Sequence, residues 1–435
     1  MRPLKIIIDA QMPGDGTAGG VQHFTASLVS ALGRLPDGPE EYIIVGPRHG
    51  SDWLYPLLGP NQRLVTGPAS LSGGVQCCRR LLGYLGLSLD RLYRGLQRAV
   101  NRPLFSPRVR QSSGFYESLG GNIIHFPHQQ FVATGLPAIY NPHDLQHLHY
   151  PEFFTKHELA QLDVTYRVAC ETSASVAAAS MAVKEDVSTS LHINPDKIQV
   201  IVLGPPTELY QSIDQEDLLR TGNKFRLPDS FVLYPAQTWP HKNHLRLLEA
   251  IALLKSKHGL VIRLICTGNK NFYWPTIEAA IRTLELSDQV SFPGFVSTNE
   301  LQALYRLARF VVFPSLFEAG GFPVIEALRA GAPLACSDIA PLREYAGQAA
   351  LFMDARSAES IADAMVALTT DHTLRSSLRE KGHEWARRFT WSATARAYRA
   401  LYRKAAGKEL DDDDLGYLHR NGMGPEPEAQ AGGAP

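Results

Sequence analysis

Glu318 and Glu326 stand eight residues apart in LFEAGGFPVIEALRAGAP, directly after the apolar run RFVVFPS (309–315). Gly320 and Gly321 lie between them, and Pro323 falls where a helix would begin, a place that suits its fixed φ. A glycine turn at a helix start frees backbone N–H groups at the positive end of the helix dipole, which favours an anion. Glu326, about one turn into such a helix, could accept hydrogen bonds from the vicinal hydroxyls of a sugar. Glu318, ahead of the turn, could face a second polyol. Two carboxylates flanking a phosphate cradle suit a nucleotide sugar. The same residues equally describe an ordinary strand–helix junction with a glutamate set against the macrodipole.

Other reactive types also follow apolar runs. In DAQMPGDGTAGGVQHFTASLVSAL (9–32), Gly14, Gly16, Gly19 and Gly20 precede a helical pattern carrying Phe24, Leu28 and Leu32. The spacing is not the dinucleotide fingerprint and no Walker lysine is present. The loop either approaches a ligand phosphate closely or is simply flexible. After FVLYPA comes QTWPHKNHLRLLEAI, with Lys242 beside His241 and His244. A cation at a helix start is costly unless an anion offsets it, so Lys242 is a phosphate contact or a solvated surface lysine. PHDLQHLHYPEFF (142–154) holds His143, His147 and His149 without a ligand pattern such as H-E-x-x-H, which argues against metal. His143, next to Asp144 and just past a buried strand, better fits a polar group at a cleft. His125 and His128, in and after NIIHF, fit that role or a structural one.

The elements that must position these groups alternate. Short runs rich in Val, Ile and Leu recur at 4–9, 42–46, 122–126, 137–141 and 199–203, and again at 231–236, 261–268, 289–292, 309–314, 332–337 and 349–354. Continuous rather than alternating hydrophobicity marks strands buried on both faces. Helical patterns intervene, as in 244–257 with Leu245, Leu248, Ile251 and Leu254 on one stripe. Repeated strand–helix units imply an α/β fold with two doubly wound parallel sheets, and open sheets of this kind bind ligands at their strands' carboxyl ends. At roughly 150 residues per domain, 435 residues accommodate two such units. The polar, proline-containing stretch 205–229 reads as the hinge.

Lys and Arg number 43, as do Asp and Glu, so the chain is formally neutral and no nucleic-acid partner is expected. Five cysteines without a CxxC pair exclude a zinc ribbon and a disulfide scaffold and fit a reducing compartment. The first apolar run is cut by Asp9 and is too short for a signal-peptide core. No run approaches the roughly 18 residues of a spanning helix. A cytoplasmic protein is expected. The charge is nevertheless segregated: residues 79–110 hold eight Arg and one Asp, with Leu81, Leu85, Leu89, Leu92 and Leu96 at helical spacing. A basic amphipathic helix of this kind either meets an anionic bilayer at the inner membrane face or docks by its leucines with solvated arginines. The tail from about 406, with DDDD at 411–414 and GPEPEAQAGGAP, reads as disordered.

Together these residues resemble family 4 of the retaining glycosyltransferases, whose GT-B architecture sets two Rossmann-like domains across a cleft. The resemblance runs from about residue 4 to 405 and is strongest in 313–354, which looks like the family's E-x7-E block. HKNHLRLLEAI (241–251) and the HDL of 143–145 add to it. It implies an acceptor-binding domain over 1–205, a nucleotide-sugar domain over 206–390, and a helix over 391–405 crossing back onto the first. It further implies Glu318 at the donor sugar's hydroxyls, Glu326 on the nucleotide ribose, and Gly320, Gly321 and Phe322 at the diphosphate and sugar. Lys242 would neutralise the leaving diphosphate. Gly19 and Gly20 would form the N-terminal glycine loop, His143 would lie beside the donor sugar, and Phe295 and Val296 would grip the nucleobase. The family's Gly-Arg pair before the lysine is replaced by Ala236 and Gln237, so one diphosphate cation is missing unless His241, His244 or another residue supplies it. The implied reaction retains the anomeric configuration and needs neither metal nor cofactor, in keeping with the absence of a DxD motif outside the acidic tail. GDP-mannose is the expected donor, with UDP-hexoses next, and a glycan or lipid-linked glycan the expected acceptor. The alternatives are another GT-B enzyme, such as a sugar-nucleotide epimerase, and a non-catalytic scaffold of the same fold.

Overall fold

The computed structural model describes residues 3–14, 19–68, 107–206 and 212–423. They divide into two compact units, one of residues up to 202 with 391–422, the other of 203–390. All but the last four residues of the basic stretch 79–110 lie outside the described residues, and with them its expected membrane-facing helix.

In the first unit, strands β1 (Lys5–Asp9), β2 (Glu41–Gly46), β3 (Gln62–Thr66), β4 (Ile123–Phe126), β5 (Ala138–Tyr140), β6 (Ser175–Ala178) and β7 (Ile198–Val200) form one sheet ordered β3-β2-β1-β4-β5-β6-β7. Every pairing is parallel. Ile6, Ile7 and Ile8 pair with Tyr42, Ile43 and Ile44 on one side and Ile123, Ile124 and His125 on the other. Those isoleucines are wholly buried, as continuous β-branched runs require of a sheet covered on both faces. Two strands of this sheet escape the sequence reading. The edge strand β3 is largely polar, and β6 is Ser-Val-Ala-Ala, whose small residues carry little strand signal. Helix α1 (Gly20–Gly33) follows β1. The chain passes from β1 to β2 on one side and returns through β4 on the other, so β1 and β4 border the point where the order reverses.

In the second unit, β8 (Val232–Pro235), β9 (Leu264–Thr267), β10 (Val290–Gly294), β11 (Phe310–Phe313), β12 (Leu334–Ser337) and β13 (Leu351–Met353) form a sheet ordered β10-β9-β8-β11-β12-β13, also parallel throughout. Here the reversal lies between β8 and β11. The expected hinge 205–229 is more structured than its composition suggests. Asp214 accepts from the Asp217 N–H, Asp217 returns a bond to the Asp214 N–H, and this capping box starts helix α2 (Gln215–Phe225). Helices α3 (His244–His258), α4 (Thr298–Leu307) and α5 (Phe322–Arg329) follow β8, β10 and β11.

Helix α6 (Trp391–Ala405) belongs to the first unit despite its place in the sequence. Phe24 of α1 meets Trp391 and Tyr398 with ring centroids 6.0 and 5.9 Å apart. His125 is fully buried beneath α6 and stacks on Tyr398. Asn141 Nδ2 donates to the Tyr398 hydroxyl at 2.8 Å, so its Oδ1 accepts from His125 Nε2 at 2.6 Å. His125 Nδ1 then accepts the Tyr402 hydroxyl at 2.8 Å. This makes His125 a neutral structural link rather than a group at the ligand-binding edge. Burial pushes its pKa down to about 3.

The tail, expected to be disordered from about 406, differs over its first part. Asp411 caps helix α7 (Asp412–His419) by accepting from the Asp414 N–H at 2.7 Å. Asp414 is buried and accepts from Arg403 Nη1 at 2.8 Å, while Arg403 Nε donates to the buried Glu40 at 2.8 Å. The acidic run is a helix cap with a buried partner, which composition alone does not disclose.

Candidate active site

The second unit brings Lys242 and Glu318 together at its reversal point. Lys242 follows β8 and Glu318 follows β11, the two strands that border the crevice where an open sheet binds ligands. Lys242 Nζ lies 2.5 Å from Glu318 Oε1, with both side chains largely but not wholly buried. The ammonium also sits 5.3 Å from the centroid of Phe313, a cation–π contact. The loop is fixed by its backbone. Asn243 adopts a left-handed conformation, φ 63°, between a short 3-10 turn and α3. Its Nδ2 donates to the Pro314 carbonyl at 3.0 Å and the Ala355 carbonyl at 2.7 Å, and Leu316 N donates to the His241 carbonyl at 2.8 Å. Both site loops are therefore sewn together by main-chain acceptors before either charged group is considered.

Glu326 lies in α5 and is buried. The Tyr305 hydroxyl of α4 donates to Glu326 Oε2 at 3.0 Å and lies 3.4 Å from the Pro323 carbonyl. Gly321 caps α5 with Pro323 in its first turn, and a helix start presents N–H groups that its own carbonyls do not satisfy. The glycines have a packing reason as well. A Cβ on Gly321 would fall 2.6 Å from Tyr345 Cβ, and one on Gly320 would fall 3.2 Å from the Tyr345 hydroxyl. Phe322 is the first residue of α5 and partly exposed.

Gln237 stands where the resemblance leads one to expect arginine. Its Oε1 accepts from the Trp239 indole at 3.0 Å. His241 and His244 do not supply the missing positive charge. Burial, with Lys242 adding, pushes His241 well below its usual range and His244 to about 3. His244 is a ring in an aromatic cluster, 4.8 Å from Tyr234 and 5.8 Å from Phe292. Phe295 and Val296 follow β10, the edge strand two removed from β8. Phe295 is exposed and Val296 buried.

The first unit has its own cluster at its own reversal point, of which the sequence reading singles out only His128. Asp9 ends β1 and is buried. Tyr116 donates to Asp9 Oδ2 at 2.6 Å, Gln11 N donates to Oδ1 at 3.0 Å, and His128 Nε2 lies 3.6 Å from Oδ1. Burial alone would raise the Asp9 pKa, but His128 and these donors outweigh it and hold the carboxyl below its usual value. His143 has a left-handed backbone, φ 63°, and an edge-on contact with Phe24 at 5.3 Å. Its Nε2 bonds the Pro127 carbonyl at 3.0 Å, which requires the proton on Nε2 and leaves Nδ1 as an acceptor. Burial brings its pKa to about 4. Gly19, at φ 57° and ψ −131°, caps α1 in a conformation that only glycine adopts readily, and Gly20 is exposed at the helix start. Among the described residues no group of three or more His, Cys, Asp or Glu is placed to hold a metal ion, and no helix is long and apolar enough to cross a membrane.

Residues 215–385 match the family described as glycosyl transferases group 1. O-antigen chain mannosyltransferase RfbU of Salmonella typhimurium is 26% identical over 239 residues, 53% of this chain and 63% of that protein. D-inositol 3-phosphate glycosyltransferase of Corynebacterium efficiens is 25% identical over 429 residues, 92% of this chain and 94% of that one. Among solved structures, HepE of Anabaena in complex with UDP-glucose superposes with a TM-score of 0.66 at 16% identity, covering 92% of this chain and all of its own. The fold is GT-B, and both glutamates and Lys242 fall inside the matched segment. Over residues 215–385, less than half of its length, the chain is similar to the glycosyl transferases of group 1.

Proposed function

We propose that the chain transfers a hexose from a nucleotide-activated donor to a glycan or lipid-linked glycan, with retention and without a metal ion, and that the donor is GDP-mannose. The observation that carries this reading is the Lys242–Glu318 pair at the reversal point of the second sheet, 2.5 Å apart, with Glu326 in the helix that follows. A diphosphate leaving group needs positive charge where its own negative charge develops. Lys242 supplies a compact point charge, and the start of α5 adds oriented N–H groups. Glu318 would then be released to bond the hydroxyls of the donor sugar, and Glu326 would bond those of the ribose. His143, neutral with Nδ1 as an acceptor, suits a sugar hydroxyl. The mannosyl assignment is supported by the RfbU relative. HepE is solved with UDP-glucose, so a UDP-hexose is the second reading.

Thermal shift with GDP-mannose, UDP-glucose, UDP-GlcNAc, UDP-galactose and the free nucleotides, without added metal, tests the reading. A ligand at about 100 times its dissociation constant stabilises by roughly 2.7 kcal/mol. One base series is expected to shift the wild type, and Glu326→Ala to abolish the shift. No shift with any donor would overturn the transferase reading, and a shift confined to uridine compounds would replace GDP-mannose with a UDP-hexose.

A further inference from the structure

We propose that Tyr305 is a positioning residue that sets the Glu326 carboxylate for the ribose hydroxyls of a nucleoside diphosphate; this rests on the transferase reading above. A glutamate's terminal torsion is broad and roughly two-fold, so packing of its stem does not fix the plane of its oxygens. Two adjacent hydroxyls, in contrast, must find acceptors at set positions. A hydrogen bond from a rigid donor to one carboxylate oxygen removes that freedom. Tyr305 is such a donor. It is 2% exposed on the buried face of α4, it has only two side-chain torsions, and its hydroxyl reaches Glu326 Oε2 at 3.0 Å. The second acceptor within reach, the Pro323 carbonyl at 3.4 Å, is the longer of the two. With one hydrogen to donate, the hydroxyl bonds the carboxylate.

The same geometry makes the test clean. Tyr305→Phe removes one oxygen and keeps the ring in place. In Glu326→Ala the Tyr305 hydroxyl keeps the Pro323 carbonyl as a nearby acceptor. The readout is the binding of GDP and UDP against 2′,3′-dideoxy-GDP and 2′,3′-dideoxy-UDP to the full chain, by calorimetry. The wild type should prefer the ribose form of its nucleotide. Tyr305→Phe should lose roughly 10- to 150-fold of that preference, the size of a hydrogen bond to a charged group, while its affinity for the dideoxy form stays within about twofold. Combining Tyr305→Phe with Glu326→Ala should lower the preference no further than Glu326→Ala alone. A loosened fold would weaken both nucleotide forms alike and leave their ratio unchanged. A wild-type ratio in Tyr305→Phe overturns the proposal while leaving the transferase reading intact. If the wild type binds none of the four, the transferase reading fails and takes this one with it.

Discussion

At the scale of single residues, the site holds one positive charge and one negative charge in contact, and a diphosphate must enter between them. Lys242 is bonded to Glu318, while His241 and His244 are kept neutral by burial. The carboxylate therefore competes with the diphosphate for the same ammonium and repels it. Glu318→Gln should bind the free nucleoside diphosphate roughly 3- to 10-fold more tightly, as expected when a close like charge is removed in a partly screened site. It should also lower turnover by at least about 100-fold if that carboxylate contacts the sugar at the transition state. Titration of the variant with GDP and UDP checks this, and unchanged or weaker binding would sink the competition argument. The sequence reading expects Lys242 and Glu318 beyond the carboxyl ends of strands because they come after apolar runs, and they follow β8 and β11, with Glu326 in the helix that follows. Tyr305 was not, because it acts from a different helix 21 residues away. Asp9 was read only as the residue that interrupts an apolar run, since its partner Tyr116 lies 107 positions on.

At the scale of elements, the sheet strands are the part that sequence carries best. A strand covered on both faces must be apolar throughout, and all eleven expected runs coincide with strands to within about three residues at each end. Elements held by polar side chains are carried worst. Helix α7 looked like a solvated tail because its acidic run has its partners elsewhere: Asp414 pairs with Arg403, which also pairs with Glu40. Burial works against the Arg403 charge, but Glu40 and Asp414 outweigh it and hold the guanidinium firmly protonated. Arg399 adds a bond to the Asp37 carbonyl at 2.7 Å. These contacts fasten the last two helices to the β1–β2 connection of the same unit. Arg403→Met would leave two buried carboxylates unpaired, a change that typically costs about 3–5 kcal/mol. Hydrogen exchange should show the β1 and β2 amides losing protection while those of β8 and β11 keep theirs. Equal protection of β1 in variant and wild type would refute that role for Arg403.

At the scale of the whole molecule, both units bury histidines, and this makes stability depend on pH in a predictable sense. In the first unit burial brings His125 to about 3 and His143 and His147 to about 4. In the second, His244 is brought to about 3 and His241 well below its usual range. The unfolded chain protonates these groups near 6.5. Below that pH the unfolded state binds more protons than the folded state, so stability falls as acid is added, until the folded values are reached. It should be level from about pH 8 to 7 and drop between about 6.5 and 4, at up to roughly 1.4 kcal/mol per histidine for each pH unit. Asp9 and Asp37, held below their usual values, add their own loss only at lower pH, beneath the carboxylate range. His244 isolates the effect. Neither of its ring nitrogens has a hydrogen-bond partner, and its ring already packs among Tyr234 and Phe292. His244→Phe keeps the aromatic contacts and deletes the proton site. It should therefore leave stability at pH 8 equal or higher and make the second unit's loss between pH 6.5 and 4 shallower by about one proton. Denaturant midpoints measured across that range decide the matter, because a slope identical to the wild type would mean that protonation of His244 is not what acid has to overcome.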